Sequence, residues 1–303
     1  MNTTTDDTDI SSHVLRNWPL PMPDCEDDKE ARGHILIIAG SREMPGAVLL
    51  AATAALRAGA GKLTIITAAS VAVALGVALP EARVIGLQET NDGGLVAQDG
   101  ILQEACDCAS AVLIGPGMQD ESATSALTRK IIANCVDKAV ILDAAAMNVV
   151  RLETPTDDTH STWHSNAQVI LTPHAGEMAY LTSTNKSKIE AEPEQAARRA
   201  AMDWNAIVAL KGSTTFIASP DGQLWRHRGG NTGLATSGSG DVLAGLIAGL
   251  AARGAALEQA AAWGVALHAL AGEQLSLQHG PLGYLARDIS AKVPPLLRVL
   301  GVS

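Results

Sequence analysis

His34-Ile-Leu-Ile-Ile-Ala-Gly-Ser-Arg-Glu-Met-Pro-Gly-Ala47 opens on an apolar, β-branched run that stops at Gly40, and an Ala- and Leu-rich repeat over 46–60 follows directly. The run predicts a buried strand, the repeat a helix, and the Gly-bearing stretch between them a loop at the strand's carboxyl end. The unit recurs: residues 63–67, 83–87, 111–114, 139–142 and 168–171 predict further strands, with helical stretches such as 121–135 between them. Short apolar strands alternating with helices imply a mostly parallel sheet covered on both faces, an α/β fold whose ligands gather at the carboxyl ends of the strands. After residue 204 the spacing tightens. Candidate strands at 207–210, 214–217 and 223–226 flank turns at Lys211-Gly212 and Asp221-Gly222, which predicts an antiparallel edge, and from Gly240 onward helices should run to the end.

Outward from that core, 303 residues that are 47% hydrophobic suffice for one large domain, assigned here to residues 33–303. Aromatic residues are only 3%, so packing must rely on aliphatic side chains and close backbone approach. Residues 1–32 are polar, with Pro19, Pro21 and Pro23, and predict an irregular N-terminal arm. That arm carries most of the net charge of −10, which reads as solvated surface; nothing points to nucleic acid. Cys25, Cys106, Cys108 and Cys135 include no C-x-x-C pair, and the N-terminus lacks a basic and then apolar leader. A cytoplasmic protein with reduced thiols and no membrane anchor is expected.

Asn231-Thr-Gly-Leu-Ala-Thr-Ser-Gly-Ser-Gly-Asp241 carries the most chemistry. Its glycines let consecutive N–H groups converge on an anion, the helix that follows adds its positive end, and Asp241 stands where it can take a proton from a hydroxyl attacking phosphorus. An isolated Gly-Asp before a helix is usually only a cap. Gly245 and Gly249 inside the helix argue for more, since each costs roughly 1 kcal/mol relative to Ala unless it serves close packing. Lys211-Gly-Ser-Thr-Thr215 offers a cation and three hydroxyls after a strand, and Thr172-Pro-His-Ala-Gly-Glu177 places His174 at a helix start. Gly40 to Ala47 and Gly115-Pro-Gly117 each follow a strand as well, without the Gly-x-Gly-x-x-Gly dinucleotide pattern. His160 and His164 have helical metal-ligand spacing but no accompanying ligands, so a zinc site is not expected.

Taken in order, Gly40-Ser, Gly46-Ala47, Gly115-Pro-Gly117, Asp143-Ala with Asn148, Thr172 to Glu177, Lys211-Gly212 and Ala235 to Asp241 resemble the NAD(P)H-hydrate dehydratase family over roughly residues 33–275. The resemblance implies a ribokinase-like three-layer α/β/α sandwich that repairs hydrated NADH and NADPH (NADHX and NADPHX), with ADP in most bacteria and ATP in eukaryotes, and Mg2+. It implies that Ala47, Gly117, His174 and Asp241 contact the hydrated dinucleotide, while Lys211, Gly212, Ser213, Thr214, Thr215 and Gly240 hold the adenine nucleotide. Asp241 would be the base that helps the C6 hydroxyl attack the terminal phosphate, after which phosphate is eliminated. A homotetramer and a separate epimerase partner are also implied, since the first 32 residues are too short for an epimerase domain.

This chain departs from the family pattern at two places. Asp143-Ala-Ala-Ala-Met-Asn148 has Ala145 where the family usually has a second Asp, which leaves the metal ligands unassigned, and Ser237 and Ser239 stand where Gly and Thr are usual. Two other readings use the same residues. One is a small-molecule kinase of this fold acting on a vitamin precursor. The other is a nucleotide-binding regulator without turnover, against which Asp241 and Lys211 both argue.

Overall fold

The computed structural model describes residues 7–22, 32–151 and 167–302. Its strands are β1 (Asp7–Asp9), β2 (His34–Ile38), β3 (Lys62–Ala68), β4 (Ala82–Leu87), β5 (Ala111–Ile114), β6 (Ala139–Leu142), β7 (Gln168–Leu171), β8 (Ile207–Leu210), β9 (Thr214–Ala218) and β10 (Leu224–Arg228). They form one sheet in the order β1-β10-β9-β8-β7-β6-β5-β2-β3-β4. Every pairing is parallel except those of β9, which runs against both β8 and β10. The antiparallel edge expected after residue 204 is therefore one reversed strand, with parallel β1 beyond it.

Helices α1 (Ser12–Arg16), α2 (Pro45–Arg57), α3 (Ala69–Ala78), α4 (Asp99–Cys108), α5 (Glu121–Asn134), α6 (Ala175–Leu181), α7 (Lys186–Ala191), α8 (Pro193–Trp204), α9 (Ser239–Ala252), α10 (Leu257–His279) and α11 (Ala286–Val299) divide between the two faces. The two-residue period of β2 decides which core each side chain enters. Ile35 and Ile37 join α1, α2, α9, α10 and α11 on one face, while Leu36 and Ile38 join α4, α5, α6, α7 and α8 on the other. Three layers result, as expected.

Gly245 and Gly249 explain how α9 lies so close to α2. A Cβ at Gly245 would sit 2.2 Å from the Ala51 carbonyl oxygen, and one at Gly249 would sit 2.4 Å from that of Ala55. The two helices run in the same direction in this register, so Ala47 and Asp241, each one turn earlier, come to the same level at the carboxyl end of the sheet. The sequence path reverses there too: β2 leads to β3 and β4 on one side, and β5 returns to β2's other side. Such a switch point opens a crevice beyond the strands.

The N-terminal arm departs from expectation. Over residues 7–22 it is ordered rather than irregular: β1 pairs with β10, and Ile10, Leu15 and Leu20 are buried. Its acids are not simply solvated either, since Asp7 pairs with Arg198 and Asp9 with Arg226. Trp18 stacks on Trp225 at 6.0 Å between centroids, and its carbonyl accepts the Trp263 indole N–H at 2.9 Å. Boundaries also shift by a few residues, with the helix expected over 46–60 observed as Pro45–Arg57 and the strand over 223–226 as Leu224–Arg228. His160, His164 and Cys25 lie outside the described residues; Cys106, Cys108 and Cys135 are free thiols. Among the described residues no helix is long and apolar enough to cross a membrane.

Candidate active site

Four strand ends and two helix starts build the site. At the end of β6, Asp143 is 3% exposed and its Oδ1 accepts from the Thr172 hydroxyl at 2.6 Å and from Lys211 Nζ at 3.3 Å. Gly115, at the end of β5, has no room for a side chain, because a Cβ would fall 1.8 Å from the Asp143 carbonyl oxygen. The ends of β7 and β8 are tied by the Lys211 N–H donating to the Pro173 carbonyl at 2.8 Å, which sets Lys211 beside His174. Lys211 Nζ also lies 3.8 Å from Glu177 Oε2.

Asp241, in the first turn of α9, completes this cluster. Burial raises its carboxyl, the neighbouring Asp143 charge raises it further, and Lys211 pulls it back, leaving it at about 7. Such a group is half ionised near neutrality, the condition that suits a general base. Burial works against the charge on Lys211, but Asp143, Glu177 and the Asp143 hydrogen bond outweigh it and hold the ammonium above its ordinary value. The cation is therefore permanent.

The start of α9 has no side-chain cap: Gly238 occupies the cap position with φ 87°, and the N–H groups of Gly240 and Asp241 have no acceptor among the described residues. Unpaired amides at the positive end of a 14-residue helix, with Lys211 alongside, make an anion site. His268 on α10 steadies this turn. Its Nε2 lies 2.9 Å from Ser239 Oγ and 3.1 Å from the Ser239 carbonyl oxygen. A carbonyl only accepts, so Nε2 carries the hydrogen and donates. Burial, with the Lys211 charge adding to it, lowers His268 to about 4, so the ring is neutral.

His174 plays a different part at the start of α6. Its Nδ1 accepts the N–H groups of Gly176 at 3.0 Å and Glu177 at 3.1 Å, while Glu177 Oε2 accepts the His174 N–H at 2.8 Å. This capping box commits Nδ1 as acceptor, so Nε2 bears the hydrogen and the ring, 59% exposed, offers a donor to a ligand. Next to it a cleft of about 370 Å³ is lined by Ala145, Asn148, His174, Glu177 and Tyr180, among others.

The residues singled out from sequence thus fall into adjoining groups. Ala47 and Gly117 pack on each other, a Cβ on Gly117 standing 2.7 Å from that of Ala47. Lys211, Gly240 and Asp241 meet at the α9 N-terminus, with a Cβ on Gly240 3.6 Å from Lys211 Nζ. Gly212, Ser213, Thr214 and Thr215 form the mouth of the β8–β9 hairpin beside them. Sequence reasoning missed His268, buried in an Ala-rich helix, and Tyr180, and it gave Asp143 and Glu177 no role; only their places just after predicted strands hinted at one.

These observations meet known proteins at the same point. A family model described as NAD(P)H-hydrate dehydratase matches residues 35–295. An ADP-dependent (S)-NAD(P)H-hydrate dehydratase of Xanthomonas campestris is 47% identical over 95% of this chain and 95% of that protein. The ADP/ATP-dependent NAD(P)H-hydrate dehydratase of Bacillus subtilis, co-crystallised with ATP and Mg2+, matches with a TM-score of 0.79 at 30% identity, covering 99% of this chain and 100% of that one. A ribokinase-like superfamily protein of Enterococcus faecalis matches with a TM-score of 0.80 at 25% identity, covering 99% and 98%. With its ribokinase-like sheet and this motif order, the chain belongs to the NAD(P)H-hydrate dehydratase family.

Proposed function

We propose that this protein dehydrates hydrated NADH and NADPH with ADP as phosphate donor, returning the reduced dinucleotide, AMP and inorganic phosphate. One observation carries the reading: a carboxyl poised at about 7, Asp241, shares its helix turn with unpaired amides and a permanent cation. Asp241 takes the proton from the C6 hydroxyl as its oxygen attacks the terminal phosphorus. The Gly240 and Asp241 amides and Lys211 hold the phosphoryl oxygens as charge builds on them. Lone-pair donation from the ring nitrogen then expels phosphate, and loss of a proton from C5 of the resulting iminium restores the dihydropyridine. Ala47, Gly117 and His174 bind the dinucleotide, and Lys211 to Thr215 with Gly240 bind ADP.

Mg2+ is ordinarily held by one or two carboxylates together with substrate phosphates and waters, and this reading takes it to act with the nucleotide. Asp143 and Glu177, both turned to Lys211, are the carboxylates it would meet. The ion supplies neutralisation of phosphate charge. The reading further places the protein in the cytoplasm, as its free thiols suit. It works as a homotetramer beside a separate epimerase. Val73 and Val77, 81% and 79% exposed on apolar α3, support association, and light scattering that finds only monomer would reject it. The stereospecific name of the Xanthomonas relative supports the need for an epimerase.

The test is the rise in absorbance at 340 nm when the protein and Mg2+ meet hydrated NADH with ADP, with ATP or with neither. A rise that requires ADP is expected. No rise with any nucleotide from folded protein overturns the reading and favours a kinase of the same fold.

A further inference from the structure

The cleft beside Glu177 reaches well past the reacting centre. Glu177 belongs to both, standing 3.8 Å from Lys211 Nζ while lining the cleft, so the cleft adjoins the reacting centre. Tyr180 lines it too, six residues beyond His174, or about 9 Å farther along α6 at 1.5 Å per residue. The Tyr180 hydroxyl donates to Glu121 Oε1 at 2.8 Å and accepts from Arg151 Nη1 at 2.9 Å. The Arg151 guanidinium also lies over the ring, 4.3 Å from its centroid. Two separate elements therefore fix the ring, which still remains 43% exposed.

A fixed, exposed aromatic ring has lost its ordering entropy before any ligand arrives, and stacking is the interaction it offers best. Its surroundings suit a planar heterocycle. Ala144 and Ala145 present methyl groups, while the Nε2–H of His174 can donate to a ring nitrogen and the Asn148 amide oxygen can accept from an exocyclic amine. Ala145 matters here, because a carboxylate at that position would set a charge against the base.

We propose that this cleft binds the adenine ring of the hydrated dinucleotide, the base remote from the reacting ring, by stacking on Tyr180. The assignment rests on the dehydratase reading, and the distance along α6 decides which end of the dinucleotide reaches the cleft. The reacting ring must meet Asp241 on the Lys211 side of Glu177, so the part of the dinucleotide that meets Tyr180 is the part remote from that ring. ADP carries adenine as well, so the experiment must separate the two sources.

Steady-state kinetics on Tyr180→Ala with hydrated NADH should show KM for the dinucleotide raised between about five- and a hundredfold, the range for one base stacked on an aromatic ring, with KM for ADP unmoved. Tyr180→Phe keeps the ring and should recover most of that affinity. With the hydrate of reduced nicotinamide mononucleotide, which lacks the second base, wild type and Tyr180→Ala should behave alike. A KM rise for ADP instead, an equal loss with the mononucleotide, or no change with the dinucleotide each overturns the proposal. If wild type turns over no hydrate at all, the dehydratase reading fails by itself. Titration of NADH fluorescence still decides the cleft, since Tyr180→Ala must weaken NADH binding by a similar factor.

Discussion

Two helices begin at the same end of the sheet, and they begin in opposite ways. At α6 the chain satisfies itself: His174 Nδ1 accepts the first-turn N–H groups of Gly176 and Glu177, and Glu177 Oε2 accepts the N–H of His174 at the cap, leaving side-chain edges to face a ligand. At α9 the chain withholds every such bond, with Gly238 in the cap position and the amides of Gly240 and Asp241 left open. A first turn that is already capped can orient a ligand by side chains, but only an uncapped one can hold phosphate by its backbone. This contrast supports the proposal that α9 carries the phosphate chemistry and α6 the recognition.

The most severe way to break this division is Asp241→Asn. It leaves the open amides in place and removes the base, so turnover at 340 nm should fall roughly 100- to 10,000-fold while ADP binding by calorimetry persists. The same variant carries a stability signature. The folded protein holds the Asp241 proton to about 7, against 3.8 for the free group, so it binds that proton more tightly than the unfolded chain does. The stabilisation is full below 3.8 and is lost as pH rises through 7. Asp241→Asn should therefore melt above wild type at pH 8, and the gap should close as pH falls.

Lys211→Gln sharpens the comparison from the other side. Loss of a charge-assisted contact to phosphate should raise the Kd for ADP by about 10- to 100-fold. Lys211 also lowers the Asp241 pKa, so the variant's pH–rate profile should move to higher pH. A profile that stays in place would separate Asp241 from Lys211 and undo the cluster as described.

How far the sequence alone reached depends on the range of the forces involved. The strands on either side of α5 were legible because a buried parallel strand is a local apolar run, and Ala111–Ile114 and Ala139–Leu142 stand where periodicity put them. Gly245 and Gly249 were legible as close packing because glycine inside a helix is locally unfavourable, although the partner, α2, was not. The arm was misread because nothing local makes Asp7–Asp9 a strand; Leu224 to Arg226, more than two hundred residues away, supply its hydrogen bonds and Arg226 its counterion. Within the site, motif order brought out Lys211 and Asp241. The contribution of Asp143 depends on being 3% exposed and within 3.3 Å of Lys211, which no spacing in the chain encodes.

The smallest effect tests α6, where His174 caps the helix and, in the proposed function, also binds the dinucleotide, two duties that substitution can separate. As a cap, it needs only an acceptor at the position of Nδ1, and Asn provides one, whereas Ala does not. As a donor to the dinucleotide it needs the outer edge of the ring, which neither replacement has. His174→Ala should lose about 1 kcal/mol of stability together with some dinucleotide affinity, while His174→Asn should keep the melting temperature and still show a severalfold rise in KM for hydrated NADH. Equal KM values for His174→Asn and wild type would make the capping box the whole purpose of this histidine. The dinucleotide would then be held by its other contacts, and the contrast between the two helix starts would be one of phosphate site against plain structure.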